Sequence, residues 1–183
     1  MSWLNLPNSL TLLRLALTPF AVAAIWNAEY RRALGFLIAA GVTDMLDGFL
    51  ARRFRWQTRT GAYLDPIADK LLLTATYLVL AFSGAIPLWI AGLVVGRDVM
   101  ILAIAGAALA FTTYREFPPS RWGKMSTAFQ VAAAATMVVR LAFPSPALVT
   151  ASKVLLFLAA FWTAWSGADY LRRGISMALK CKV

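Results

Sequence analysis

The chain is 183 residues long; 61% of its residues are hydrophobic, only 14% are charged, and its net charge is +10. A soluble protein is about half apolar and about a quarter charged, so this composition excludes an ordinary soluble globule and a disordered chain. Because there is no histidine and a single cysteine, a Ser-His-Asp triad, a histidine-ligated metal and a disulfide framework are also excluded. The length predicts one domain covering residues 1–183.

The hydrophobic residues are grouped into stretches long enough to cross a membrane as helices, which takes about 20 apolar residues each. The first ten residues, with Trp3, Leu4 and Leu6, predict a short interfacial segment before the first span. The predicted fold class is therefore an all-α integral membrane protein with six transmembrane helices. The predicted spans are 9–27, 33–53, 61–82, 86–112, 122–143 and 147–169.

The basic residues between these spans predict the orientation. Eleven of them fall on one side of a six-span layout, and three, Arg31, Arg32 and Arg140, fall on the other. Since cytoplasmic loops carry the excess of Lys and Arg, both termini are predicted to be cytoplasmic. In so apolar a chain the positive charge predicts contact with anionic membrane lipids rather than nucleic acid, and location in the cell's inner (plasma) membrane. The eleven are Arg52, Arg53, Arg55, Arg59, Arg115, Arg121, Lys124, Arg172, Arg173, Lys180 and Lys182.

Acidic residues inside the predicted spans are the strongest functional signal. Even on lower scales, an aspartate at mid-membrane costs about 2.5–3.5 kcal/mol, so several of them need partners. Asp44 and Asp47 share one helix face at i and i+3, and Asp65 and Asp69 share a face of the next helix at i and i+4. The short turn between these helices makes them antiparallel neighbours. Four carboxylates are therefore predicted to meet near the cytoplasmic surface. Asp98 lies in the fourth span.

Such a cluster needs cations, because four carboxylates repel one another. Oxygen ligands without His or Cys favour Mg²⁺ or Mn²⁺, and two ions about 3.5–4 Å apart are usual for displacement at phosphorus. Arg52, on the same face as the first two aspartates, can hold phosphate oxygens. Gly48 and Gly61 leave room for a ligand or the facing helix. Intramembrane carboxylates also occur in transporters, but those spread them across the midplane of two inverted halves, a pattern that is not seen here.

Residues 44–69, DMLDGFLARRFRWQTRTGAYLDPIAD, resemble the signature of the CDP-alcohol phosphatidyltransferases, D-x2-D-G-x2-A-R-x8-G-x3-D-x3-D, at every fixed position. The N-terminal LPNSLTLLR is also similar to this family. The resemblance implies an integral membrane enzyme, usually a homodimer, that moves a phosphatidyl group from CDP-diacylglycerol to an alcohol and releases CMP.

The resemblance also implies roles for individual residues. By position, Asp44, Asp47 and Asp65 correspond to metal ligands, and Asp69 to the general base, which also touches a metal. Thr11 and Arg14, spaced i and i+3, can share one face of the first helix. The residues implied to bind the CDP-lipid are Asn8, Thr11, Arg14, Gly48, Ala51, Arg52 and Gly61.

The alcohol acceptor is inferred from the second half of the chain. Phosphatidylglycerophosphate synthases of this family typically show R-E-F in span four, a second arginine eight residues after the first, and G-K-x-K-T in span five. Here the corresponding cationic positions hold Ala105 and Ser126. The pattern is more similar to the CMP-forming cardiolipin synthases, which implies phosphatidylglycerol as acceptor; the alternative is glycerol 3-phosphate. The predicted acceptor-binding residues are Arg97, Arg115, Arg121 and Lys124.

Overall fold

The computed structural model describes residues 6–54, 59–111 and 120–180, and these residues form helices joined by short connections. The helices begin and end close to the six predicted spans, apart from the last, which continues further toward the C-terminus. They are α1 (Leu6–Trp26), α2 (Tyr30–Phe54), α3 (Arg59–Phe82), α4 (Leu88–Phe111), α5 (Arg121–Ala142) and α6 (Pro146–Lys180).

Tight turns follow α1 and α3. After α1, Ala28 adopts a φ of 58°, and the Glu29 amide donates to the Ala24 carbonyl at 2.8 Å, which closes the end of the helix. After α3, Gly84 adopts a φ of 77°, a left-handed conformation that suits a residue without Cβ. Accordingly, α1 packs against α2, and α3 packs against α4.

The bundle is assembled around contacts between α1, α2 and α3 on one side and α4, α5 and α6 on the other. Helix α1 contacts both α2 and α3, while α6 contacts α4 and α5. In the described residues α2 and α3 make no close backbone contact with each other, so the direct packing predicted from the short turn between them is wrong there, and α1 is the helix that brings their carboxylates together. Helices α2 and α3 also contact α5, which joins the two groups. The buried core between them is rich in alanine and aliphatic residues, so the helices approach closely. Core residues include Ile25, Tyr77, Leu80, Ile90, Val94, Met137 and Val138.

The outer surface of the bundle is strongly apolar. Phe20, Trp26, Ile38, Phe49 and Phe157 are more than half exposed. Exposed apolar area on this scale is typical of a surface covered by lipid or a partner. In the described parts of the chain, three segments are long and apolar enough to cross a membrane: Ser9–Trp26, Arg121–Ala142 and Pro146–Ser176. The all-helical fold therefore fits a membrane protein, whereas six spans and cytoplasmic termini stay predictions.

Candidate active site

Arg14, in the middle of α1, lies at the centre of a carboxylate cluster. Its side chain is only 1% exposed, and its Nη2 lies 2.8 Å from Asp44 Oδ1 and 2.5 Å from Asp47 Oδ2. Its Nη1 donates to Asp69 Oδ1. Three carboxylates from α2 and α3 thus share one guanidinium from α1. A charge this deeply buried needs such partners, because an unpaired one would be strongly destabilising.

The three carboxylates differ in their access to solvent. The Asp47 side chain is 4% exposed, whereas Asp44 is 49% and Asp69 is 52% exposed. The i, i+3 spacing of the two α2 aspartates lets both reach the same Nη2, as the sequence periodicity predicts. Asp47 therefore contributes an enclosed charge, while Asp44 and Asp69 each keep part of the carboxylate open to a cavity that both of them line.

This cavity has a volume of about 300 Å³ and contains a second charged group. Asp98 on α4 is largely buried, and its Oδ1 accepts a hydrogen bond from Arg97 Nη1 at 2.7 Å. The same oxygen lies 3.2 Å from Lys70 Nζ on α3. Lys70, Arg97 and Asp98 all line the cavity together with the carboxylates. One pocket therefore holds an acidic cluster and a pair of basic side chains.

The rest of the cavity wall is mostly apolar. Its size is at the small end of ligand pockets, and a few polar groups among apolar side chains are typical of such sites. Thr76, Thr127 and Gln130 supply the uncharged polar atoms. Apolar lining residues include Leu37, Leu72, Leu73, Val131 and Ala134.

Arg97 is held rigidly by α5 and α6. Its Nη2 donates to Ser166 Oγ at 3.2 Å and to the Gly123 carbonyl at 3.4 Å, and its guanidinium lies 5.8 Å from the centre of the Tyr170 ring. A Cβ added at Gly123 would come within 2.9 Å of the Tyr170 hydroxyl oxygen and 3.2 Å of Arg97 Nη2. A glycine at this position is therefore what lets the start of α5 approach the arginine. Ser120 caps α5 by accepting from the Gly123 amide at 3.0 Å.

Ser126, one of the two positions at which phosphatidylglycerophosphate synthases typically carry a basic residue, faces α6. It is fully buried, and its Oγ lies 3.2 Å from Thr163 Oγ1. Gln130 Nε2 donates to both hydroxyl oxygens, at 3.3 and 2.8 Å. Gln130 also lines the cavity, whereas Ser126 does not. Ser126 therefore completes a buried polar network between α5 and α6.

The other predicted site residues fall in different places. Thr11 is buried one turn before Arg14, and Arg97 lines the cavity. Arg121 and Lys124, in the first turn of α5, are exposed and are not lining residues. Their roles stay predictions. The side chains of Asn8, Gly48, Ala51, Arg52, Gly61, Asp65, Ala105 and Arg115 lie outside the described residues.

Lys70 was not predicted as a site residue. The sequence did indicate it, because placing a charged lysine inside a membrane span costs free energy, as it does for the aspartates beside it. It directly follows Asp69, and both residues line the cavity.

The donor chemistry fits a divalent cation. Carboxylate oxygens are the ligands that Mg²⁺ and Mn²⁺ prefer, and Asp44 and Asp69 have accessible oxygens. Within the described side chains, which do not include Asp65, no group of three or more acidic, cysteine or histidine residues is arranged to hold an ion. Arg14 provides the counter-charge there. The cation therefore stays a proposal.

An apolar helical bundle with acidic and basic side chains gathered in one cavity fits a membrane protein that has a polar site between its helices. The family model for CDP-alcohol phosphatidyltransferase matches residues 4–165, which is most of the chain. The chain belongs to this family, and the resemblance seen in the aspartate motif is confirmed.

Relatives with two different activities are similar to the chain. CDP-diacylglycerol--glycerol-3-phosphate 3-phosphatidyltransferase of Haemophilus influenzae is 35% identical over 175 residues, covering 92% of each protein. A probable phosphatidylglycerophosphate synthase of Mycobacterium tuberculosis is 33% identical over 177 residues, covering 93% of this chain and 82% of the relative. Human cardiolipin synthase (CMP-forming) is 36% identical over 118 residues, covering 64% of this chain and 38% of that enzyme. The chain is thus a transferase related to enzymes of phospholipid biosynthesis.

Proposed function

We propose that the chain transfers the phosphatidyl group of CDP-diacylglycerol to phosphatidylglycerol, releasing CMP and forming cardiolipin. The observation that carries the choice of acceptor is the net charge of one group of side chains in the cavity, Lys70, Arg97 and Asp98. Arg14 is already paired with three carboxylates, which leaves Lys70 and Arg97 as the other two basic side chains that line the cavity. Both contact Asp98, so this group carries one net positive charge.

One positive charge matches a phosphodiester better than a phosphomonoester. Phosphatidylglycerol carries a charge of about −1, whereas glycerol 3-phosphate is close to −2 at neutral pH. Burying the second negative charge without a partner is unfavourable in an apolar cavity. The apolar wall also suits an acceptor that arrives from the bilayer.

The chemistry proposed for the site is a displacement at phosphorus. Asp69, whose carboxylate is half exposed in the cavity, accepts the proton of the acceptor hydroxyl. The hydroxyl oxygen bonds to the phosphorus that carries diacylglycerol, and the bond from that phosphorus to the oxygen of CMP breaks. CMP leaves with the bonding electron pair.

Asp44, Asp47, Asp65 and Asp69 are proposed to hold two divalent cations, Mg²⁺ or Mn²⁺. When bound, these ions would neutralise the negative charge on the diphosphate and on the departing CMP. Arg14 keeps the carboxylates gathered at one place. Arg52, together with Asn8 and Thr11, is proposed to contact the CDP-lipid.

Glycerol 3-phosphate is the second candidate acceptor. The relatives that match this chain over more than 90% of its length include the Haemophilus enzyme that is named for that substrate. The human cardiolipin synthase matches over a smaller share of both chains. Similarity that covers nearly the whole of both proteins therefore favours the phosphatidylglycerophosphate product, while the single net positive charge of Lys70, Arg97 and Asp98 favours cardiolipin.

A competition between the two acceptors separates these candidates. Purified enzyme receives CDP-diacylglycerol, a divalent cation and equal amounts of glycerol 3-phosphate and phosphatidylglycerol, and the lipid products are separated by mass. Because the second negative charge of a phosphomonoester lacks one charge-assisted bond of about 1.5–3 kcal/mol, we expect glycerol 3-phosphate to be used about 10–100-fold less. Phosphatidylglycerophosphate as the main product would overturn the cardiolipin assignment and leave the family assignment intact.

The six helices are proposed to cross the inner (plasma) membrane, with both termini and the carboxylate site facing the cytoplasm. The eleven-to-three distribution of basic residues supports this orientation. The need to release CMP, a soluble nucleotide, agrees with this orientation.

A homodimer is also proposed, since the exposed apolar side chains on the bundle leave surface area for a second copy of the chain.

Cysteine labelling tests the orientation. In a Cys181→Ser background, a cysteine at position 57 is expected to react with an impermeant thiol reagent only from the cytoplasmic side. A cysteine replacing Glu29, an exposed residue between α1 and α2, is expected to react only from the opposite side. The two positions serve as controls for each other in the same membranes. The reverse pattern contradicts the cytoplasmic orientation of the termini, and reaction of both positions from one side contradicts the six-span arrangement.

A further inference from the structure

A second cavity lies away from the carboxylate cluster, at the end of the bundle where α2 begins and α5 ends. It has a volume of about 370 Å³, and its charged lining residues are Glu29, Arg31 and Arg32. Because a helix rises about 1.5 Å per residue, Arg31 lies about 20 Å along α2 from Asp44. The space lined by these three charged residues is called the distal cavity below.

We propose that the distal cavity binds the phosphate of an anionic phospholipid, and that the acyl chains of this lipid lie along an exposed face of α2. The chemical class that fits is a phosphodiester lipid with one net negative charge. The distal cavity is separate from the cavity proposed for phosphatidyl transfer, so the inference does not depend on that reaction.

The charges around the distal cavity leave one guanidinium without an opposite charge. Arg32 Nη1 lies 2.8 Å from Glu29 Oε2, so these two charges balance each other. Among the described residues Arg31 makes no ion pair, and its guanidinium lies 5.2 Å from the centre of the Phe143 ring. A cation–π contact positions the guanidinium but does not supply a negative charge. The cavity therefore has one net positive charge, which a phosphodiester would neutralise.

A structural role alone does not account for this concentration of arginines. The exposed pair of Arg32 and Glu29 contributes little to stability. Arg140 directly precedes the lining residue Leu141, and in the described part of the chain it contacts Ser152 Oγ at 3.4 Å but no carboxylate. Basic residues are scarce at this end of the six-span layout, and yet its three arginines are gathered around one cavity.

An apolar stripe on α2 begins at the distal cavity and favours a lipid over a soluble phosphate. Residues at i, i+4, i+7 and i+11 share one helix face, and from Arg31 these positions are the exposed residues Gly35, Ile38 and Val42. A Cβ added at Gly35 would meet no atom within 4 Å, so there is open space one turn from Arg31. Exposed Trp26, at the end of α1, is typical of the level of lipid headgroups. A phosphate at Arg31 would thus have its acyl chains on this stripe.

The test measures lipid binding to the purified protein in neutral detergent by native mass spectrometry. The probe is dioleoyl phosphatidylethanol, an anionic phosphodiester lipid that has no free hydroxyl and so cannot act as an acceptor. We expect Arg31→Gln to weaken the binding of one lipid molecule about 10–100-fold, because a charge-assisted hydrogen bond is lost. Arg31→Lys keeps the charge and should retain most of the affinity. Lys153→Gln, which changes an exposed lysine outside the cavity, is the matched control and should behave as wild type.

Two further ligands identify the occupant. Dioleoyl phosphatidylcholine, which has no net charge, should bind this site at least about tenfold more weakly, and soluble diethyl phosphate should not displace the lipid at equal concentration. Unchanged lipid binding by Arg31→Gln, equal binding of phosphatidylcholine, or displacement by diethyl phosphate would each overturn the inference.

CMP release locates the lipid in one of the two cavities. Arg31 is distant from the carboxylate cluster, so CMP release by Arg31→Gln should stay within about twofold of wild type. Loss of CMP release together with loss of lipid binding would place the lipid at the carboxylate cluster and refute the distal site.

Discussion

Asp44→Asn is expected to lower CMP release at least about 10³-fold at saturating divalent cation. Asp44 is one of the proposed metal ligands, and asparagine has nearly the same shape but lacks the negative charge. Because Asp44 is half exposed, its replacement should cost the fold little, in contrast to a change at enclosed Asp47. CMP release from CDP-diacylglycerol, measured together with the thermal unfolding midpoint, separates loss of chemistry from loss of structure.

Asp169→Asn provides a matched control for this prediction. Asp169 also pairs with an arginine, Arg173, but lies on α6 and is not a lining residue of the cavity. We expect its replacement to change CMP release by less than about twofold, since ion pairs within one helix contribute little to stability.

Wild type should lose activity in excess chelator and regain it with Mg²⁺ or Mn²⁺. Full activity in excess chelator would refute the metal site.

Arg14 shows how far the sequence could predict the site. Spacing alone placed Asp44 and Asp47 on one face of α2 and predicted that α3 would bring Asp69 beside them, because helical periodicity is a property of the local chain. Periodicity does not say which neighbour a helix faces. That α1 packs against both α2 and α3, and so inserts Arg14 among the carboxylates, is a tertiary contact between distant segments.

Ser126 is a second residue whose surroundings could not be predicted from the sequence. Adjacent residues on a helix point in directions about 100° apart, so a change of one position decides between the cavity and a neighbouring helix. Thr127 lines the cavity, whereas Ser126 bonds to Thr163 on α6. The motif in span five could be recognised from the sequence, but the face that each of its residues presents depended on how α5 and α6 pack.

The hydrophobic stretches predicted the helices well because hydropathy and length are local properties. The sixth helix extends to Lys180, beyond the predicted end of its span. Its C-terminal part carries charged residues such as Asp169, Arg172 and Arg173, which ended the apolar stretch without ending the helix. Charge thus marks a boundary of apolar surface, while helix formation continues as long as backbone propensity allows.

Asp69→Asn is expected to reduce turnover about 10²–10⁴-fold, the usual contribution of a general base. Asparagine can still accept a hydrogen bond from Arg14, so the cluster should keep its shape, but it cannot accept the proton of the acceptor hydroxyl. Binding of CDP-diacylglycerol should be largely retained. The measurements are CMP release at saturating substrates and cation, and equilibrium binding of the CDP-lipid to the same preparation.

Comparison with Asp44→Asn shows whether Asp69 acts as a general base or as a metal ligand. If Asp69 acts mainly as a base, saturating Mn²⁺ should leave Asp69→Asn slow, and its apparent affinity for Mn²⁺ should fall less than that of Asp44→Asn. A residue that acted only as a ligand would show the opposite behaviour, with weakened cation affinity and activity regained at high Mn²⁺. Turnover of Asp69→Asn within about tenfold of wild type places the base elsewhere in the cavity, because a contribution of the usual size is then excluded.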